Sequence, residues 1–169
     1  MSTQVKGSPQ AMESEEFRDA MSLLAAPLTI VTARDTEGRP WGFTASSVTS
    51  VSLEPPLLLV GMSRTSSCFP ALSEADEFTV NVLGEGHREL ARTFATTGVD
   101  RFAGVSIGDW GDSTVPYLTD VSVAFRCSAS SRIPVGDHTL LVGELTQMRG
   151  HGATASPLVW YRRDFRMSV

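Results

Sequence analysis

Lysine is almost missing from this chain: of its 14 basic residues only Lys6 is a lysine, and it stands in an N-terminal stretch, MSTQVKGSPQ, with nothing to pack. That excludes a pyridoxal-phosphate enzyme, which needs an internal Schiff-base lysine, and a P-loop, which needs one behind its glycines. An excess of positive charge is missing too. The net charge is −5 at pH 7, and without clustered cations to release counterions a nucleic-acid surface is excluded as the working reading. The sequence has no G-x-S-x-G elbow, no H-E-x-x-H helix and no paired C-x-x-C, and His87, His138 and His151 lack metal-ligand spacing on any one element. No G-x-G-x-x-G follows a strand, so a nucleotide, if bound, is bound without a Rossmann site. The longest charge-free apolar stretch, residues 21–33, is too short to span a bilayer and follows Glu13, Glu15 and Glu16 rather than a basic region. The expectation is a cytoplasmic protein with no membrane segment. Its two cysteines, Cys68 and Cys127, are read as reduced, buried small hydrophobes.

What is present describes one globular domain. The 169 residues are 41% hydrophobic and 20% charged, with 14 Gly and 9 Pro, enough to bury a core without a disulfide or metal staple. Residues 1–12 read as a disordered arm and 13–169 as a single domain. The spacing predicts a helix over 14–24, with Phe17, Met21 and Leu24 on one face and acids in its first turn. From Leu28 the period becomes two: Leu28, Ile30 and Thr32 share a strand face, DTEGRP supplies a hairpin turn, and residues 41–53 read as a return strand with Phe43, Ala45, Val51 and Leu53 on one face. The apolar run 57–62 reads as a strand buried on both faces. A helix near 69–75 with Pro70 in its first turn, a strand over 77–83 and a helix over 85–96 follow. After a loop without period at 97–119 come two long alternating strands, 121–129 and 138–149, and a final pair, 157–161 and 164–169. Many short-spaced strands with a few small helices predict a mainly β fold, an antiparallel barrel decorated by helices.

Hydroxyls are the densest chemical signal. Six of the nine residues from Thr44 to Ser52 are Ser or Thr, and Ser63, Thr65, Ser66 and Ser67 stand just before a helix. Consecutive serines give up β propensity, whereas hydroxyls and N–H groups at a strand end and a helix start can hold a phosphate or a flavin edge without lysine. The plainer alternative is a solvated strand face and an ordinary Ser cap. Gly136-Asp137-His138 opens the strongest strand and either aims an imidazole at a ligand or only makes a turn. Arg101-Phe102 pairs a guanidinium with a ring, suited to an anionic aromatic ligand or to anchoring the loop.

Five runs in order, GFTASSVTSVSLEPPLLLVGMSRTSS, FTVNVL, FATTGVDRFAG, GDHTLLVGEL and PLVWYRRDF, resemble the flavin reductase family of two-component monooxygenases, over about residues 21–165. The resemblance implies a split β-barrel, Greek-key-like and antiparallel, that works as a homodimer with flavin in a groove at the interface. It implies an NAD(P)H:flavin oxidoreductase: hydride passes from NADH or NADPH to FMN or FAD, and the reduced flavin is handed to a partner monooxygenase. Its Thr-x-Ser-Ser contact to the flavin falls on Thr44, Ala45, Ser46 and Ser47. The next strand end and Ser corner match Val60, Gly61, Met62, Ser66 and Ser67, and the Phe-Ala and Arg-Phe contacts match Phe94, Ala95, Arg101 and Phe102. The histidine beside the nicotinamide, the catalytic candidate, matches His138. This chain departs from the pattern at Tyr161-Arg162-Arg163-Asp164-Phe165, where a Gly often stands between the two aromatics, and at Asp120-Val121, where Gly-Ala is often seen. Two readings of other classes stay open: a flavin- or haem-binding module without NADH turnover, and a dimeric interaction protein whose Ser-rich strands are merely solvated.

Overall fold

A computed structural model describes residues 12–150 and 156–167; the expected arm, apart from Met12, lies outside the described residues. In chain order the elements are α1 (Ser14–Met21), β1 (Ala26–Pro27), β2 (Thr29–Arg34), β3 (Pro40–Ala45), β4 (Val48–Leu53), β5 (Pro56–Ser63), α2 (Phe69–Glu74) and β6 (Glu77–Val82). A 3-10 turn, Glu85–His87, leads into α3 (Arg88–Ala95), followed by β7 (Ile107–Gly108), β8 (Tyr117–Leu118), β9 (Val123–Val135), β10 (His138–Gly150), β11 (Leu158–Tyr161) and β12 (Asp164–Met167). The main sheet has seven strands in the order β3-β2-β6-β9-β10-β5-β4, every pairing antiparallel. Strands β1, β11 and β12 form a second small sheet, and β7 pairs with β8. The fold is mainly β with few helices, as the spacing predicts.

The seven-stranded sheet has β3 at one edge and β4 at the other, yet only Ser46 and Ser47 separate these strands in the chain. Ala45 and Val48 are three Cα steps apart and so at most about 11 Å from each other, which means the sheet curls until its edges face each other. Among the described residues no ladder joins β3 to β4, and the chain itself spans the seam. The sequence reading of 41–53 as one continuous strand is therefore corrected. Its supposed common face is split as well: Ala45 is buried, whereas Val51 and Leu53 are 53% and 88% exposed.

Curling gives the sheet an inner face and gives its central strands two covered faces. Val31, Ala33, Val60, Met62, Leu72, Phe78, Val80, Cys127 and Leu141 fill the interior, while Leu28, Ile30, Leu83, Ala91, Phe94, Leu118 and Leu158 form a second cluster under α3 and the C-terminal strands. Strand β2, expected to bury one face, buries both. Strand β5, expected to be buried on both, alternates: Leu58, Val60 and Met62 point inward, and Leu59 and Gly61 are half-buried on the outside. Both thiols are buried, and burial pushes that of Cys127 up to about 12.

Buried polar groups tie the long loop to the sheet. Asn81 donates from Nδ2 to the Ile30 carbonyl at 2.8 Å and accepts from the Leu118 N–H at 2.8 Å, and Thr32 donates to the Pro116 carbonyl at 2.6 Å. Arg126, almost fully covered, donates to Glu77 and to Asp112, 2.7 Å away, which holds Asp112 below its ordinary carboxylate value. Gly136 takes φ 56° in the two-residue turn between β9 and β10, the left-handed geometry such a hairpin needs. The turn between β11 and β12 takes positive φ at both of its residues, without glycine: Arg162 and Arg163 have φ 52° and 59°, which costs an L-residue roughly 1–2 kcal/mol each.

Among the described residues no helix is long and apolar enough to cross a membrane, and no group of three or more His, Cys, Asp or Glu is arranged to hold a metal ion.

Candidate functional site

The seam at Ser46 and Ser47 is held by its backbone and leaves its side chains free. Thr29 donates to the Ala45 carbonyl at 3.0 Å on one side, and the Gly61 N–H donates to the Ser47 carbonyl at 2.8 Å on the other. A Cβ at Gly61 would lie 3.0 Å from Ser47 Cβ, so glycine lets β5 approach this closely. Ser46 and Ser47 are exposed, and neither hydroxyl bonds to another described residue. Thr44 differs: its hydroxyl donates to the Ala91 carbonyl at 2.6 Å and joins β3 to α3.

Two grooves adjoin this segment and a third lies farther along β3. One, of about 520 Å³, is walled by Thr44, Ser46, Ala95, Arg92, Trp160 and Phe165. A second, of about 720 Å³, shares Ser46 and Trp160 with it and adds Ser47, Gly61 and Leu140 on the sheet side and Phe17, Arg18 and Met21 of α1 on the other. A third, of about 490 Å³ at the far end of β3, is lined by Trp41, Gly42, Ser67, Arg101 and Phe102. Their walls carry Arg18, Arg39, Arg92, Arg101 and Arg163 against the carboxylate Asp100; Arg39, Arg92 and Arg163 are paired with Asp35, Glu89 and Asp19 just outside, which leaves Arg18 beside the serines without a carboxylate partner among the described residues. An acidic chain thus presents cations where its open hydroxyls stand, a lining that favours an anionic ligand.

Arg101 is fixed before any ligand arrives. Its Nε donates to the Thr96 carbonyl at 3.0 Å, and its Nη1 to the Gly42 carbonyl at 2.9 Å and to Cys68 Sγ at 2.8 Å. The Phe102 ring packs edge-on against Phe94 at 5.1 Å. Ser66 turns back to accept from the Cys68 N–H at 3.2 Å, whereas Ser67 is exposed. The side chains of Ala45, Val60, Met62 and Phe94 are in the core, which leaves only their backbone for a ligand. In the hairpin ahead of β3, the Trp41 indole N–H and the Arg39 guanidinium hold the Asp35 carboxyl well below the usual carboxylate range.

His138 does not line these grooves. It opens β10 opposite Ser63, two residues along the strand from the pair Leu140 and Gly61. Two residues of strand amount to about 7 Å, so His138 shares the outer sheet face with the 720 Å³ groove but stands beyond its end. The ring is partly exposed, with Nδ1 2.7 Å from Asp137 Oδ1, and this contact holds Asp137 below its ordinary value. With the proton on Nδ1, Nε2 is the ring's free acceptor.

Sequence reasoning did not place Trp160, Phe165 or helix α1 at the site. The two rings pack edge-to-face at 5.2 Å, with the Arg92 guanidinium 5.0 Å from the centre of Phe165. The signal available for the two rings was the run PLVWYRRDF, whose departure at Tyr161-Arg162-Arg163-Asp164-Phe165 left contacts from the tail open.

Residues 21–168 match the model of the flavin reductase like domain. The chain is 48% identical over 155 residues to the NADH:riboflavin 5'-phosphate oxidoreductase of Streptomyces pristinaespiralis, covering 92% of this chain and 88% of that protein. It is 39% identical to the stachydrine N-demethylase reductase subunit Stc3 of Rhizobium meliloti, over 80% of this chain, and spans 59% of that longer relative. The crystallised NADH:FAD oxidoreductase SgcE6 of Streptomyces globisporus, in complex with NAD and FAD fragments, superposes with a TM-score of 0.85 at 28% identity, covering 92% of each chain. With a curled antiparallel sheet, open serines at its seam and a family match across nearly the whole chain, this protein belongs to the flavin reductase like domain family.

Proposed function

We propose that the chain is an NAD(P)H:flavin oxidoreductase that reduces FMN or FAD and supplies the product to a partner monooxygenase. The observation that carries this reading is the seam: two exposed hydroxyls with no partner among the described residues, set where grooves lined by arginine converge. Such donors fit a flavin's phosphate and ring edge. Flavin, when bound, supplies the N5 atom that accepts hydride from a reduced nicotinamide, and its ring system carries the electrons.

The chain's own part is to bind and orient. Ser46 and Ser47 donate to the ligand, and Trp160 and Phe165 give it a flat apolar wall. Arg101 and Phe102, locked by their own contacts, fix the far end. His138 orients the nicotinamide from the outer sheet face, where placing the reacting atoms about 3–3.5 Å apart is the main lever on rate. Neutral, solvent-exposed hydroxyl contacts contribute about 0.5–1.5 kcal/mol each, a strength compatible with release of the reduced product to another enzyme. A partner of that kind is supported by the relative named as a reductase subunit of a demethylase.

The grooves are open on one side, and burying most of a flavin requires further walls. Ile133 and Val135 on β9, beside Leu140 of the 720 Å³ groove, are about half exposed. A second copy of the chain covering them completes the site, so the working unit is a homodimer. Both cysteines are free, in keeping with a cytoplasmic enzyme supplied with reduced nicotinamide.

The test is the loss of NADH or NADPH absorbance with purified chain, with and without added FMN or FAD, alongside sedimentation. Turnover that depends on flavin, from a dimer, is the expected result. Flavin binding without nicotinamide oxidation leaves a binding module, and no flavin binding at all removes the reading.

A further inference from the structure

Helix α1 walls the 720 Å³ groove opposite Ser46 and Ser47, and the core does not hold it there. None of its residues is buried, and Phe17 and Met21 remain 53% and 46% exposed. What ties it to the sheet is the turn between β11 and β12. The Arg162 N–H donates to the carbonyl of Ser22, at the end of the helix, at 2.8 Å, and Arg163 Nη2 stands 2.6 Å from Asp19 Oδ1.

The backbone under those contacts is strained. Arg162 and Arg163 both lie in the left-handed region, at φ 52° and 59°, in a two-residue turn where Asn and Gly are the residues that fit. Strain of this kind persists where a functional constraint over-determines it. Global stability does not supply that constraint at Arg163. Its pair with Asp19 is exposed, 51% and 65% on the two sides, and an exposed ion pair is worth less than a left-handed arginine costs. The pair matters locally instead, because a helix with no buried residue is displaced by breaking very few contacts.

We propose that Arg163 is a positioning residue for the flavin groove: from a strained turn it holds helix α1, through Asp19, against the face that carries Ser46 and Ser47, so that the groove is formed before flavin arrives. The proposal rests on the flavin reductase reading. Flavin binds only the fraction of molecules whose helix is in place, so loosening the helix raises the apparent Kd by the inverse of that fraction.

Three variants test it: Arg163→Gly, Asp19→Ala, and the exchange that combines Asp19→Arg with Arg163→Asp. Arg163→Gly raises the melting temperature, because the steric penalty an L-residue carries at positive φ exceeds glycine's added chain entropy and the lost exposed pair, yet weakens FMN binding by about three- to tenfold. Asp19→Ala weakens FMN binding to the same extent with no gain in melting temperature. In both, amide exchange over residues 14–24 accelerates while the sheet is unchanged, and the loss appears in the flavin KM more than in kcat. The exchange variant recovers FMN affinity to within about twofold of wild type and slows exchange over the helix again. Unchanged FMN affinity in both single variants, unchanged helix exchange in Arg163→Gly, or an exchange variant no better than the singles overturns the role of Arg163. Wild-type chain that binds neither FMN nor FAD overturns the flavin reading itself, whatever the exchange rates over α1.

Discussion

Arg101 and Cys68 meet beside the edge of the sheet, with Nη1 2.8 Å from Sγ and 2.9 Å from the Gly42 carbonyl, while Nε reaches the Thr96 carbonyl. One guanidinium thereby joins the residue after α3, strand β3 and the residue that starts α2.

Arg101→Lys tests that junction. A lysine keeps the charge but cannot reproduce the planar fork, so the variant loses about 1–3 kcal/mol of stability in urea unfolding. It also binds FMN less tightly, because Phe102 and Ser67 line the same groove. Unchanged stability with weaker FMN binding would show that Arg101 acts on the ligand alone.

Thr44 and Ser47 lie three residues apart and separate two effects. Ser47→Ala removes a hydroxyl with no partner among the described residues, so stability holds while FMN binding weakens by about 1 kcal/mol, or roughly fivefold. Thr44→Val removes the donor to the Ala91 carbonyl, and its main effect is about 1 kcal/mol of lost stability. Titration by flavin fluorescence and thermal melts on both variants check the contrast; a reversed pattern would exchange their roles.

His138 stands outside the flavin grooves but on the face that leads to them. His138→Ala raises the NADH KM and leaves flavin affinity within about two- to threefold of wild type, a change near 0.5 kcal/mol. The melting temperature hardly moves, since the ring is partly exposed and bonds only to its neighbour Asp137. NADH kinetics identical to wild type at saturating flavin would remove His138 from the site.

Acid sensitivity follows from Asp35, whose carboxyl the Trp41 indole N–H and the Arg39 guanidinium hold below its ordinary 3.8. A carboxyl with a depressed folded value contributes stability that is complete above its unfolded pKa and is lost as pH falls through the folded one. Asp35→Asn therefore lowers the melting temperature at pH 7 and flattens its decline below about pH 4. Parallel melting curves for the two proteins across pH 2–7 would rule Asp35 out as a source of the acid transition.

Much of this protein was determined locally and is legible in the sequence. The helices near residues 14 and 69, the DTEGRP hairpin and the two long strands each rest on acids in the first turn, proline position, turn chemistry or a period of two, features that close within a few residues. The hydroxyl run marked a candidate ligand site for the same reason, since serines in place of strand formers are visible without coordinates. Only the tertiary structure decided that residues 41–53 break at Ser46 and Ser47, because that break depends on two edges of a seven-stranded sheet meeting, an event with no local signature. It also decided which strands bury both faces. Alternation reports the partner a residue would accept, whereas burial of β2 on both sides depends on α3 and the C-terminal strands arriving from far along the chain. The wall that α1 gives the groove belongs to the same class: the sequence shows that Phe17, Met21 and Leu24 share a face but not what it meets, and in the fold it stays exposed, held by a turn more than 140 residues away.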